Sequence, residues 1–255
     1  MSVPNRFSKQ LPSTNKYLVR IAETDKELRQ AQSLRYNVFN VELGEGLDKS
    51  HQNELDKDKY DRQCHHLLVI VRSTNEIIGT YRMQTYEEAQ KHEGFYSANE
   101  FKLSMLPDDV LKNAVEVGRA CIAKEHRNGR VLFLLWRGIA EYMKATDSRY
   151  LFGCCSFTGT DAQLARNAER YLTDQGYLHE EHVIDTTSDF ECPEVSVDEN
   201  EAENTEIPQL FRLYLNVGAK VISKPAIDQS FQTIDFLILV DVQELDSKSR
   251  ALFLR

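Results

Sequence analysis

The sequence predicts an α/β fold built on one mixed sheet with helices on both faces. Three observations lead there. Apolar runs of strand length recur at residues 66–72, 77–84, 114–123, 150–155 and 233–242. Amphipathic stretches with helical period fill 129–144 and 160–175, between later strands. The resulting order, β-α-β-β-β-α-β-α-β, combines a hairpin with helical crossovers and shows no internal repeat, as a single mixed-sheet domain over 17–255 requires.

The elements follow in order. Residues 17–22 alternate like a first strand. Thr24 then offers an N-cap with Glu27 three residues on, a capping box that starts a helix running to about Phe39. Residues 40–63 are polar and lack any period; a structureless stretch of that length inside a compact domain is often functional. The strands at 66–72 and 77–84 flank a turn at 73–76 and read as a hairpin. The "FYSANEF" segment shows no clear period. A strand at 114–123 leads through a basic turn into the 129–144 helix. The strand at 150–155 leads into the 160–175 helix, closed by Gly176. A short helix at 208–217 ends at Gly218, and 233–242 is the last strand.

Composition bounds the class of protein. With 41% hydrophobic and 28% charged residues in 255, the chain is an ordinary globular protein. No segment approaches the ~20 apolar residues of a membrane span, and the first sixteen residues lack an apolar signal core, so they read as a flexible cytosolic terminus. Five cysteines without metal-ligand spacing fit reduced thiols. The net charge of −9 hides an uneven distribution. Residues 171–211 hold about twelve Asp or Glu and no Lys or Arg, so the rest of the chain is near +3. The acidic stretch, centred on 185–206, reads as a solvated loop.

Two features carry chemistry. The turn Lys124 to Arg130 opens a helix at Gly129, where free backbone N–H groups suit an anion. Arg127 and Arg130 oppose the macrodipole there, by ~0.3–1 kcal/mol each, which points to an anionic ligand. The second feature is Glu116 within an apolar strand, beside Gly118, whose missing side chain leaves room for a close approach. Strict alternation places Glu116 and Arg119 on opposite faces, so they need different partners, which Arg35, Asp58, Asp61 and Arg82 could supply.

The spaced set Leu34-Arg35, Asp58-Lys59-Tyr60-Asp61, Gly79 to Arg82 and Glu116-x-x-Arg119 resembles the autoinducer synthases, acyltransferases related to the GNAT superfamily. "CHHLLVI", "GTYRM", "FYSANEF", "EVGRACI", "LLWRGIAEY", "LFGCCSF" and "YLNVGAKVISKPAIDQSFQTIDFLIL" are closer still to the ornithine-lipid N-acyltransferases, also labelled haemolysin-like proteins. The resemblance covers 17–242. It implies a GNAT-like fold in which a thioester arm enters a splay between the strands at 114–123 and 150–155. It also implies transfer of a (3-hydroxy)acyl chain from acyl carrier protein to the α-amino group of an amino acid, L-ornithine, in lyso-ornithine-lipid biosynthesis.

On this reading Glu116 is the general base, with its carboxyl raised by burial, and backbone N–H groups beside the splay hold the oxyanion. Lys124, Arg127, Gly129 and Arg130 bind the carrier arm. "RNGRVL" has one glycine and departs from the Gly-rich pyrophosphate loop of acetyl-CoA enzymes; phosphopantetheine carries a single phosphodiester. Seven Lys/Arg against three Asp/Glu between 119 and 149 suit an acidic carrier protein. Arg35, Asp58, Asp61, Arg82 and Arg119 organise the long loop. Asp235, charged within "TIDFLIL", either binds the amino-acid amine or pairs with Lys220 or Arg212.

No cofactor is held permanently, acyl-phosphopantetheine arriving on the carrier protein, and no metal or nucleic acid is expected. Location is cytoplasmic, with peripheral contact at the inner membrane as an option. Cys64-His65-His66 is not read as a metal site, because neighbours on a strand face opposite ways. Cys121, Cys154, Cys155 and Trp136 read as core, and Ser156 is left open between an oxyanion donor and a strand-end hydroxyl. The alternatives are an acyl-homoserine-lactone-type signal synthase, against which the extension from 176 to 255 argues, and acylation of another amino acid such as glycine. A lytic protein finds no amphipathic membrane helix in its favour.

Overall fold

The computed structural model describes residues 11–254. Of the expected flexible terminus, 1–10 lies outside the described residues, and 11–16 carries no helix or strand. The elements are β1 (Tyr17–Ile21), α1 (Asp25–Tyr36), β2 (His65–Val71), β3 (Glu76–Thr85), α2 (Tyr86–Lys91), α3 (Asp108–Lys112), β4 (Ala114–Ile122), α4 (Gly129–Ala145), β5 (Tyr150–Thr158), α5 (Ala162–Asp174), α6 (Glu199–Glu203), α7 (Gln209–Asn216), β6 (Lys220–Val221), β7 (Ala226–Asp228), β8 (Thr233–Asp241) and α8 (Ser247–Leu254). They form one sheet in the order β1-β2-β3-β4-β5-β8-β6, with β7 also on β8. Every pairing is antiparallel except β4 with β5.

Strand β2, HHLLVIV, is buried throughout because both its faces are covered. Leu67 and Val69 join Val131, Leu135 and Ile139 of α4 in the main core. Leu68 and Ile70 meet Ala31 of α1 on the opposite face. Each of these Leu, Val and Ile side chains contributes ~1.5–3 kcal/mol when fully buried, so helices are held on both sides of the sheet. Helix α5 extends the α4 layer through Ala165, Ala168 and Leu172.

Three local expectations are corrected. Thr24 caps α1 by accepting from the Glu27 N–H at 3.3 Å, but the Glu27 carboxylate bonds the Glu23 N–H and Arg20 rather than closing a capping box. The α-helix ends at Tyr36, and the chain widens into a π turn, Asn37–Leu43, stopped by Gly44 at φ 69°. The 40–63 stretch is therefore not structureless: this turn and two 3₁₀ turns, Asp48–Gln52 and Lys59–Arg62, shape it. The acidic stretch holds a 3₁₀ turn, α6 and single antiparallel bridges from Thr186 to Phe101 and from Glu191 to Ala226. It is tied to α5, where Arg166 donates to the Cys192 carbonyl and Asn167 accepts from the Asp198 N–H.

Candidate active site

The parallel pairing of β4 with β5 lasts only from Ala114↔Tyr150 to Glu116↔Phe152. There the strands part. A Cβ on Gly153 would lie 2.2 Å from the Val117 carbonyl oxygen, so glycine is required where they make their last close approach. Beyond it a cavity of about 320 Å³ opens between the strands. Its walls differ in character. Tyr81, Met83, Val117, Leu210, Phe211 and Tyr214 make an apolar side, whereas Arg82, Glu100, Glu116, Arg119 and Asp235, with the Ser156 hydroxyl, make a charged one.

Strict alternation predicts opposite faces for Glu116 and Arg119; the structure puts both on the cavity. Against β3, Gly118 pairs with Arg82 but Cys121 pairs with Thr80, so β4 carries one extra residue. Arg119 stands at this bulge with φ 52°, a left-handed conformation uncommon for a residue with a side chain. The bulge resets the face parity and brings Arg119 round beside Gly118. Its guanidinium then sits 4.3 Å from the Phe231 ring centroid and 4.9 Å from that of Tyr96.

The sequence-predicted charged set is brought together, with one member that the sequence reading omitted. Arg35, fully buried, donates from Nε to Asp56 at 2.8 Å and from both terminal nitrogens to Asp61 at 2.9 and 2.8 Å. Arg82 bonds Asp58 at 2.7 Å and Asp61 at 3.0 Å, and Arg119 reaches Asp58 at 3.4 Å and Asp56 at 3.5 Å. Asp56 is the missing third acid; its place in "LDKDKYD", two residues before Asp58, is the signal. Burial alone would raise the Asp61 carboxyl, but Arg35 and Arg82 outweigh it and hold it well below the usual carboxylate range. Asp58 also accepts from the Tyr60 and Asp61 N–H groups, which starts the 3₁₀ turn and locks the loop against the sheet. Three guanidiniums and three carboxylates thus answer one another.

Glu116 is buried, and its carboxylate accepts four hydrogen bonds. Gln84 Nε2 donates at 2.6 Å, the Tyr96 N–H at 2.9 Å, the Ser97 N–H at 2.7 Å and Ser97 Oγ at 2.6 Å. "FYSANEF" is therefore a 3₁₀ turn pinned to β4 by this carboxylate. Two carboxylate oxygens offer about four lone-pair sites, and here all are taken.

Asp235 on β8 has a different setting. Ser156 Oγ and Thr233 Oγ1 (2.7 Å) donate to its two oxygens, one bond each. Neither pairing expected from sequence occurs: Lys220 donates to the Gly176 carbonyl and Arg212 to that of Ile207. Burial pushes the Asp235 carboxyl up to about 6, against the pull of its hydroxyl partners. Carboxylate oxygens of Glu100, Asp228 and Asp235 lie within 4.8 Å of one another, all buried, an acceptor set suited to an ammonium group. Burial, and then the Asp235 and Asp228 charges, push Glu100 well above the usual range. Glu100 and Asp228 lie inside motifs that carry the family resemblance, but nothing in the sequence singles them out within those motifs.

The basic turn divides. Arg127 makes a bidentate pair with Glu42 of the π turn, so its anion comes from the chain itself, and the macrodipole argument no longer requires a ligand for it. Asn128 caps α4 by accepting from the Val131 N–H, while Lys124, Gly129 and Arg130 are exposed at its entrance. His65 bonds the Tyr142 hydroxyl, and His66 bonds the Asp61 carbonyl. Cys121 and Trp136 are core as expected, whereas buried Cys155 and half-buried Cys154 line the cavity.

A relative from Brucella abortus, an L-ornithine N(alpha)-acyltransferase, is 32% identical over 251 residues, spanning 90% of this chain and 86% of its own. The chain belongs to that acyltransferase family. Another member, from Rhodobacter capsulatus, is 30% identical across 94% of this chain and 95% of its own. The acetyltransferase (GNAT) domain family matches residues 34–137, from just before the buried Arg35 to the middle of α4. Among solved structures, TofI in a ternary complex with an inhibitor and MTA superposes with a TM-score of 0.52 at 15% identity, covering 93% of this chain and 96% of that one. The N-acyl amino acid synthase FeeM, from uncultured soil microbes, gives 0.52 at 11%, covering 94% and 97%. At such identities the likeness is one of fold, and it is the GNAT-like fold expected. Among the described residues no helix is long and apolar enough to cross a membrane.

Proposed function

We propose that this acyltransferase moves a (3-hydroxy)acyl chain from acyl carrier protein to the α-amino group of L-ornithine, yielding the lyso-lipid of ornithine-lipid biosynthesis. One observation carries the choice of a dibasic amino acid. Both guanidiniums on the cavity, Arg82 and Arg119, are answered by Asp56, Asp58 and Asp61, yet among the described residues no Lys or Arg pairs with Glu45, Glu100, Asp228 or Asp235. Buried acids without an ion-paired protein cation are costly, and a substrate with two ammonium groups offsets that cost. The names of the relatives support the same substrate.

The apolar wall suits the start of an acyl chain, and the parting of β4 and β5 suits a phosphopantetheine arm. Lys124 and Arg130, exposed at the α4 entrance, suit the acidic surface of a carrier protein. Peripheral membrane contact would serve release of an amphiphilic product. The test is free-thiol release from 3-hydroxyacyl carrier protein with ornithine, norvaline or glycine. Ornithine is expected to be turned over with a far higher kcat/KM than norvaline, which has the same chain length but lacks the second amine. Equal turnover of norvaline or glycine would overturn the dibasic assignment, and equal use of acyl-CoA would overturn the carrier-protein donor.

A further inference from the structure

We infer that Asp235, not Glu116, is the group that takes the proton from the attacking amine. The inference rests on amine acylation in this cavity, as proposed above. Glu116 is the family-like candidate, but all its acceptor sites are filled by Gln84, Tyr96 and Ser97. Accepting a proton there means first breaking a bond that pins the 96–99 turn. Asp235 accepts only one hydroxyl bond on each oxygen, so each keeps a lone pair, and it lines the cavity.

Its position is suitable. Asp235 pairs in register with Ser156 of β5, past the point where β5 leaves β4, so it stands one strand behind the edge along which the thioester enters. The groups around it are Glu100 and Tyr96 from the 95–101 segment, Asp228 of β7, Glu45, Cys154 and Cys155 of β5, and Arg119 at the bulge. Burial, and then the Asp228 charge, disfavour an ionised Asp235, whereas the two hydroxyls and Arg119 favour it. A base poised near neutrality is the result, which is where general-base catalysis is most efficient.

The step balances as follows. The Asp235 carboxylate takes one proton from the substrate ammonium, freeing the nitrogen lone pair. That nitrogen attacks the thioester carbonyl carbon, forming the C–N bond and an oxyanion. As the oxyanion collapses, the C–S bond breaks, the nitrogen's surplus proton goes to the departing sulfur, and amide and thiol result. Asp235 then returns its proton to water.

The test compares two nucleophiles in the full-length chain, by thiol release from acyl carrier protein. One is the amino acid the wild type accepts. The other is hydroxylamine, whose nitrogen is already unprotonated at neutral pH and needs no base. Asp235→Asn keeps the volume and can still bond Ser156 and Thr233. It is expected to lose ~10²–10⁴-fold in kcat with the amino acid, to retain most hydroxylamine turnover, and to recover amino-acid turnover as pH rises toward the amine's own pKa. Ser156→Ala removes a bond that favours the ionised form, and should move the acid-side limb of the pH–rate profile to higher pH than in the wild type. If the Asn variant does not fold, that shift or its absence decides. Equal losses with both nucleophiles, or amino-acid turnover close to wild type, would return Asp235 to a positioning role. A wild type that acylates glycine but not ornithine overturns the substrate proposal and leaves Asp235 to be tested with glycine; one that acylates no amine overturns both.

Discussion

Gly153 and Gly118 face the same splay from opposite strands, and their substitution by alanine should have opposite consequences. At Gly153 a methyl would lie 2.2 Å from the Val117 carbonyl oxygen, against the 3.0 Å below which Cβ contacts essentially never occur, so the backbones must separate by about 0.8 Å. The obstructing atom is main chain and cannot rotate away. The cost belongs at the upper end of the ~1–3 kcal/mol typical of overpacking. At ~2–4 °C per kcal/mol for a chain of this size, the melting temperature should fall by ~6–12 °C. At Gly118 nothing lies within 4 Å of the added methyl, which enters the cavity beside Arg119. Stability should hold or rise slightly, since the unfolded chain loses freedom, while thiol release falls because the methyl occupies space for the reacting groups. Thermal melts and acyl-transfer kinetics on both variants decide the matter. A Gly153→Ala protein melting within ~2 °C of wild type, or a Gly118→Ala protein with undiminished kcat/KM, would refute the placement of the fork and of the cavity respectively.

Arg35→Met leaves Asp56 and Asp61 without their nearest cation, and breaking a buried pair in this way should cost ~3–5 kcal/mol, read as a lower melting temperature that no substrate concentration rescues. A pH dependence of stability follows from two buried groups of opposite sign. Burial pushes His66 down to about 4 from an unfolded value near ~6.5, so the unfolded chain binds the extra proton and His66 favours folding less as pH falls through that window. Asp235, pushed up to about 6, keeps its proton in the folded state, which favours folding on the acid side and is lost as pH rises through that value. The two offset one another between about 4 and 6 in the wild type, so Asp235→Asn should show a steeper rise in melting temperature with pH; a constant gap between the two proteins from pH 4 to 7 would show that Asp235 does not titrate there. Arg130→Glu should raise KM for acyl carrier protein and weaken its dependence on salt, whereas Arg127→Glu, which repels Glu42, should act on stability; the opposite assignment in carrier-protein kinetics would shift the docking site to Arg127.

The period of the hydrophobic pattern was enough to locate most of the sheet. Runs of two-residue period and of helical period are local properties, so β2, β3, β4, β5, β8, α4 and α5 were legible within a few residues. The very short β6 and β7, and helices α2, α3, α6 and α8, carry too few periodic residues to be read that way. The charged set was legible because Arg82 and Arg119 are charges in strands that otherwise bury, while Arg35, Asp58 and Asp61 stand in motifs that carry the family resemblance. Motif order along the chain was enough for the family.

Which face a charge meets was decided only by the tertiary structure. The bulge at Arg119 depends on the register of β4 against β3, and one extra residue moves every later side chain to the other face. The four donors on Glu116 come from Gln84 of β3 and the 96–97 turn, the latter in a segment with no period, and their count determines whether a carboxylate has a lone pair left for a proton. Arg127 has its anion because a π turn some eighty-five residues earlier presents Glu42. Glu100, Asp228 and Asp235 meet from three separate segments, and only chain folding sets the distance between their oxygens. Local pattern specifies what is buried; hydrogen-bond saturation and charge compensation are sums over neighbours that sequence separation does not reveal.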